Sequence, residues 1–118
     1  MSWTVLYHDD FVPEFEALSE SVQDELLVRV SVLEAVGPSL GRPHADTLFG
    51  SKHANMKELR FYADNGVWRV AFAFDPARRA IILVAGDKTG VAQAQFYKGL
   101  IARADKRFAN HLKSFKDH

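Results

Sequence analysis

Cysteine is absent from this 118-residue chain. Its absence excludes disulfides, thiol nucleophiles and cysteine-bound zinc, and leaves a reducing compartment, the cytoplasm, as the expected location. Glycine and proline are sparse, at seven and four residues, too few for a collagen-like or low-complexity chain. No apolar run is long enough to cross a bilayer. Residues 1–11 have neither the basic nor the apolar region of a signal peptide, so no leader and no membrane partner are expected. What the chain does have is 47% hydrophobic and 25% charged residues, the balance of a globular protein. Its length suits one domain spanning residues 1–118.

Net charge is zero, from 15 basic and 15 acidic residues. The two kinds are not mixed evenly. Residues 1–50 hold nine acids and two bases, a net −7, and residues 51–118 hold 13 bases and six acids, a net +7. Such asymmetry points to an anionic partner for the second half or to mutual neutralisation in the fold.

Hydrophobic periodicity orders the elements. Residues 3–7 read as a short strand, β-branched and aromatic. Phe11, Phe15 and Leu18 fall on one helical stripe, with Pro13 tolerated in the first turn. A second helix follows, with Ser21 and Asp24 as a capping box, Val22, Leu26, Val30 and Leu33 inward, and Gly37-Pro38 as its stop. Residues 38–56 show no period and read as a long surface loop. Three strands then form an antiparallel meander, and a helix over 91–113 carries Phe96, Leu100, Ala104 and Phe108 at four-residue spacing. The order is β-α-α-β-β-β-α: an α+β domain with a small antiparallel sheet, an N-terminal helical hairpin and a C-terminal helix.

Strand pairing sorts the side chains. Asn65-Gly66 is the expected two-residue hairpin turn, setting Tyr62 opposite Arg69 and Phe61 opposite Val70. Leu59, Phe61, Val70 and Phe72 then share the core face, and Glu58, Arg60, Tyr62 and Arg69 the other. Placing Phe74 opposite Arg79 puts Ile81 and Leu83 on the core face and Ala80, Ile82 and Val84 on the arginine face. Carried past Gly86, the alternation brings Lys88 to the arginine side. Lys57 has core parity and reaches that side only through a fray or bulge. A face with Arg60, Arg69 and Lys88 is either a solvated sheet surface or a site for phosphate. Ligand spacing for a metal is missing, and Gly86-Asp87-Lys88-Thr89-Gly90 lacks the spacing of a phosphate loop. Metal-free cleavage of RNA through its own 2′-hydroxyl stays open, given a general base, a charge stabiliser and a general acid.

Glu58-Leu59-Arg60, Asn65-Gly66-Val67-Trp68-Arg69-Val70, Asp75-Pro76, Ile81-Ile82-Leu83 and Lys88-Thr89 before a helix resemble the RelE/ParE superfamily. The nearest resemblance is to its HigB-like, phage-derived branch of type II toxin–antitoxin toxins. It implies the RelE-like fold and a ribosome-dependent mRNA interferase that needs no metal or other cofactor and leaves a 2′,3′-cyclic phosphate. Arg60 and Arg69 then match the basic residues at the scissile phosphate, and Lys88 a general acid or phosphate ligand. Tyr97 matches an aromatic placed near the nucleobase. Lys57 and the loop histidine His53 are further candidates for the substrate, and His53 or His44 for the base. The expected partners are the ribosome, mRNA and an antitoxin, a small helix-turn-helix DNA-binding protein, with the acidic helices as its docking surface. Asp87 stands where related toxins carry a lysine, which lowers the local positive charge. Two alternatives accompany this reading: a ParE-like DNA gyrase inhibitor, and a weakly active homologue that mainly binds its antitoxin.

Overall fold

The computed structural model describes residues 2–116. Its elements are β1 (Val5–Tyr7), α1 (Phe11–Ala17), α2 (Glu20–Val36), a short 3-10 turn (Gly37–Ser39), β2 (Ala45–Thr47), β3 (Met56–Ala63), β4 (Gly66–Phe74), β5 (Ala80–Asp87) and α3 (Gln93–Lys116). The sheet has five strands in the order β1-β5-β4-β3-β2, with β1 parallel to β5 and the remaining pairs antiparallel. The expected meander is its centre. β1 and β2 are added at the two edges, and β2 lies inside the segment expected to be loop.

Both faces of the sheet are covered. α1 and α2 pack on Leu59, Phe61, Val70, Phe72 and Ile82 through Phe11, Val22, Leu26, Val30 and Leu33. α3 packs on Ala71, Ala73, Ile81, Leu83 and Val84 through Leu100, Ala104 and Phe108. The four-residue spacing read for the last helix is thus its buried stripe. The α2 cap is Ser19, whose hydroxyl accepts from the Val22 amide at 3.4 Å, not the expected Ser21.

Pairing differs from expectation in two places. The hairpin turn is Asp64-Asn65, with φ of 52° and 61°, and Ala63 pairs with Gly66. Asp and Asn tolerate the left-handed region that such a turn requires at both positions. Gly66 serves close packing instead: a Cβ there would lie 2.7 Å from the Trp68 indole nitrogen and 2.8 Å from the Asp87 carboxylate. Every partner moves by two residues, which leaves each side chain on its expected face. Between β4 and β5 the shift is one residue, since Phe74 faces Ala80. Ile81 and Leu83 therefore face α3, and Ala80 and Ile82 face the helical hairpin, the reverse of expectation. A bulge at Ala71/Phe72 restores the parity. Gly86 then faces Arg69, and the Lys88 amide donates to the Val67 carbonyl at 2.9 Å.

α1 and α3 are tied by one acid. Glu14 accepts from Arg107 at 2.8 and 2.6 Å and from Arg103 at 2.8 Å, and Arg107 also donates to the Leu83 carbonyl. The Arg107 hydrogen bond holds Glu14 below its usual carboxylate range, against the opposing effect of burial. Its contribution to stability is therefore present above the unfolded-state pKa and lost as pH falls through the depressed folded value. Glu14→Gln is expected to lower the melting temperature by a few degrees at neutral pH. Thermal melts on acidification should also show a shallower loss of stability for the variant than for the parent chain.

A candidate anion site on the arginine face

Four elements deliver the site. β3 contributes Glu58 and Arg60, β4 contributes Arg69, the end of β5 leads to Lys88, and the second turn of α3 contributes Tyr97. Arg60 and Arg69 are direct partners across the β3–β4 ladder, so two guanidinium stems emerge side by side. Gly86 is the next residue across from Arg69. A Cβ there would lie 2.9 Å from the Phe96 ring, so the glycine lets the start of α3 approach the sheet. That approach brings the Tyr97 hydroxyl over the arginines.

Glu58 is the hub. The Tyr97 hydroxyl donates to Glu58 Oε1 at 2.9 Å and accepts from Arg69 Nε at 3.3 Å. Arg60 Nη1 donates to Glu58 Oε2 at 3.2 Å, and Arg69 Nε stands 3.9 Å from Oε1. Arg69 Nη1 donates to the Trp68 carbonyl at 2.9 Å. Glu58 and Arg69 are each only 3% exposed. Lys88 Nζ lies 6.0 Å from the centre of the Tyr97 ring, a cation–π distance. Asp46 of β2 reaches Arg60 at 3.6 Å and is shared with Arg42 at 2.8 Å.

Proton affinities follow from this packing. Burial pushes the Glu58 carboxyl up, and the Tyr97 hydrogen bond, Arg60 and Arg69 only partly offset it. Burial and then the charges of Arg69 and Arg60 push the Lys88 ammonium down, with Glu58 opposing. Burial and then Glu58 push the Tyr97 phenol up. Tyr97 thus contacts both a carboxylate that takes a proton more readily than usual and an ammonium that gives one up more readily, shifts of the kind that cluster at functional sites.

A cleft of about 540 Å³ opens over the cluster, walled by Arg42, Asp46, Phe49, Glu58, Arg60 and Tyr97 among others. Arg69 borders a neighbouring cleft of about 300 Å³, which shares Arg42 and Arg60. Arg60 and Lys88 are the partly exposed cations of the cluster, while Arg69 lies beneath. Among the described residues no group of three histidine or carboxylate side chains is placed to hold a metal ion. Two arginines, Arg42 and Arg60, and two acids, Asp46 and Glu58, line the cleft and pair with one another.

The structure brings together Arg60, Arg69, Lys88 and Tyr97 and separates Lys57 and His53 from them. Lys57 points to the opposite face, where its ammonium donates to the carbonyls of Pro38 and Leu40 at 2.9 and 2.5 Å. It is a cap for the 3-10 turn, as its core parity dictates. His53 packs edge-on against Phe108 at 4.9 Å, farther along α3. His44 lines the smaller cleft and gives its carbonyl to the Arg60 amide. Asp87 pairs with Trp68 in the ladder, and its carboxylate accepts from the amides of Val67 and Thr89 at 3.0 and 2.9 Å. The Asp87 carboxylate thus holds the turn after β5. Glu58 is the residue that sequence reasoning undervalued, since its strand parity already placed it on the arginine face.

The phage-derived Gp49-like family (DUF891) matches residues 13–109. The candidate toxin HigB2 of Mycobacterium tuberculosis is 46% identical over 101 residues, 85% of this chain and 50% of that protein, so the chain spans half of that relative's length. The candidate toxin HigB3 of the same organism is 43% identical over 100 residues, 85% of each chain. Among solved structures, a mutant of the E. coli toxin RelE in the free state superimposes with a TM-score of 0.60 at 12% identity, over 86% of this chain and 96% of that one. At that identity the likeness concerns the fold.

Proposed function

This chain belongs to the Gp49-like, phage-derived family of RelE-fold, HigB-like proteins, and on that premise we propose that it is the toxin of a type II toxin–antitoxin pair, a ribosome-dependent, metal-independent mRNA endoribonuclease. The observation that carries the reading is the Glu58 hub. One buried carboxylate gathers Arg60, Arg69 and Tyr97, and Lys88 stands over the Tyr97 ring.

The roles follow from exposure and proton affinity. Arg60 and Lys88 take the scissile phosphate, since both reach solvent. Arg69 is a positioning residue: buried, it fixes the Tyr97 hydroxyl and adds its field to the site. The Tyr97 hydroxyl already donates to Glu58. As it takes the proton of the ribose 2′-hydroxyl, it passes its own to the carboxylate, and the 2′-oxygen attacks phosphorus. The P–O5′ bond breaks, Lys88 gives its proton to the departing oxygen, and a 2′,3′-cyclic phosphate remains. Histidine takes no part in this scheme.

A protein of zero net charge has little long-range pull on RNA, which suits a nuclease positioned by the ribosome. An antitoxin partner follows from the family. Induction of this chain in cells should arrest growth and yield mRNA cut within codons, relieved by the co-expressed antitoxin. Arrest with intact mRNA and broken DNA would assign the target to gyrase instead.

A further inference from the structure

We propose that Phe49 is a nucleobase-stacking residue of the cleft, an inference that rests on the RNA-cleavage reading above and names how the site holds its substrate. Phe49 is 81% exposed, the most exposed large hydrophobic side chain among the described residues. It stands on the wall of the same cleft as Arg42, Arg60 and Tyr97. An aromatic ring held in water beside guanidinium groups is the arrangement by which proteins take single-stranded nucleic acid, with cations on the backbone and a flat ring under a base.

The ring is presented by an anchored turn, not by a loose one. On one side Leu48 is buried in the α3-facing core, and its amide donates to the Met56 carbonyl at 3.0 Å. On the other side Gly50 reverses the chain at φ +96°, a conformation that favours glycine. Beyond it, the Ser51 hydroxyl and the Lys52 amide both donate to the Asp105 carboxylate of α3, the latter at 3.0 Å. Packing thus holds both flanks while the phenyl ring itself is left uncovered. Preorganising the ring removes part of the ordering cost of binding. Arg42 and Arg60, although shared with Asp46 and Glu58, keep guanidinium donors at the cleft, and these together with the ring suit a partner that is aromatic and carries phosphate, which a nucleotide is and an apolar peptide is not.

The test is fluorescence anisotropy of the full chain with a short, uncleavable 2′-O-methyl RNA at low salt, using Phe49→Ala and Phe49→Tyr. Phe49→Ala should weaken binding about tenfold or more, and Phe49→Tyr should bind like the parent chain. An abasic nucleotide walked along the RNA should abolish the difference between parent and Phe49→Ala at one position. Equal affinity of the parent and Phe49→Ala, or an equal loss with the abasic nucleotide at every position, overturns the proposal. So does a Phe49→Ala variant that loses antitoxin binding and keeps RNA binding, which makes the ring a protein contact. Cleavage on programmed ribosomes is read in parallel. Absence of cleavage by the parent chain counts against the nuclease reading, while the binding comparison decides the stacking role by itself.

Discussion

Lys88→Ala is expected to slow mRNA cleavage about a hundredfold or more while leaving the melting temperature nearly unchanged. Lys88 is partly exposed and makes no hydrogen bond through its ammonium among the described residues, so its removal leaves no buried group without a partner. Its value lies in charge and in a proton. Burial, and then the charges of Arg69 and Arg60, hold its pKa below the ordinary lysine range, which fits it to protonate a leaving oxygen. Lys88→Arg separates the two contributions. Arginine keeps the charge but does not release a proton, so it should restore RNA binding and stay slow in cleavage. The pH profile follows with the same signs. Activity should fall on the alkaline side as pH rises through the lowered Lys88 pKa, and on the acid side as pH falls through the raised Glu58 pKa. Both limbs are drawn inward from the ordinary values, and Lys88→Ala should erase the alkaline one.

Glu58→Ala and Glu58→Gln are expected to part company. Alanine removes the carboxylate that Arg60 and Arg69 face and leaves Arg69 buried without its counter-charge. Loss of one partner of a buried pair costs about 3–5 kcal/mol, a large share of the roughly 5–15 kcal/mol that holds a domain together. Denaturant unfolding should therefore show a strongly weakened protein. Glutamine also removes the counter-charge but keeps the shape and oxygen acceptors for Tyr97 and Arg60, so the loss should be smaller, about 1.5–3 kcal/mol, in the range of a hydrogen bond to a charged group. The folded Glu58→Gln protein should bind RNA and fail to cut it, because an amide does not take up the proton passed by Tyr97. A Glu58→Gln variant with full activity would remove Glu58 from the chemistry and leave it a structural hub.

Faces were more legible in this chain than registers. The hairpin slipped by two residues because Asp64 and Asn65, not Asn65 and Gly66, take the left-handed turn, and an even slip does not move a side chain from one face to the other. Lys88 reached the arginine side through two departures that cancel, a one-residue shift at the β4–β5 turn and the bulge at Ala71/Phe72. Neither leaves a mark in hydrophobic alternation, because Ala80–Val84 is apolar throughout and both faces of the sheet are covered. For the same reason Ile81 and Ile82 exchanged sides relative to expectation. β2 was hidden by its length, three residues of Ala-Asp-Thr with no period. That Arg60 and Arg69 share a sheet face was legible from parity, and family resemblance singled out Tyr97, which the structure places against Arg69. Lys57 and His53 were drawn in by residue type alone, and the packing assigns them elsewhere. The importance of Glu58 depends on burial by α3, which no local pattern encodes. Phe49 read as one residue of a featureless loop, since only the fold brings that loop to the cleft.

The most direct test of RNA cleavage by this site uses purified protein, programmed ribosomes and an mRNA with a single 2′-deoxynucleotide at the mapped cut. The all-ribose mRNA should be cut to a product ending in a 2′,3′-cyclic phosphate, and the 2′-deoxy mRNA should stay whole. Cleavage of the 2′-deoxy mRNA at the same place, or a product with a free 3′-hydroxyl, would contradict attack by the 2′-oxygen and with it the roles assigned to Glu58, Tyr97 and Lys88.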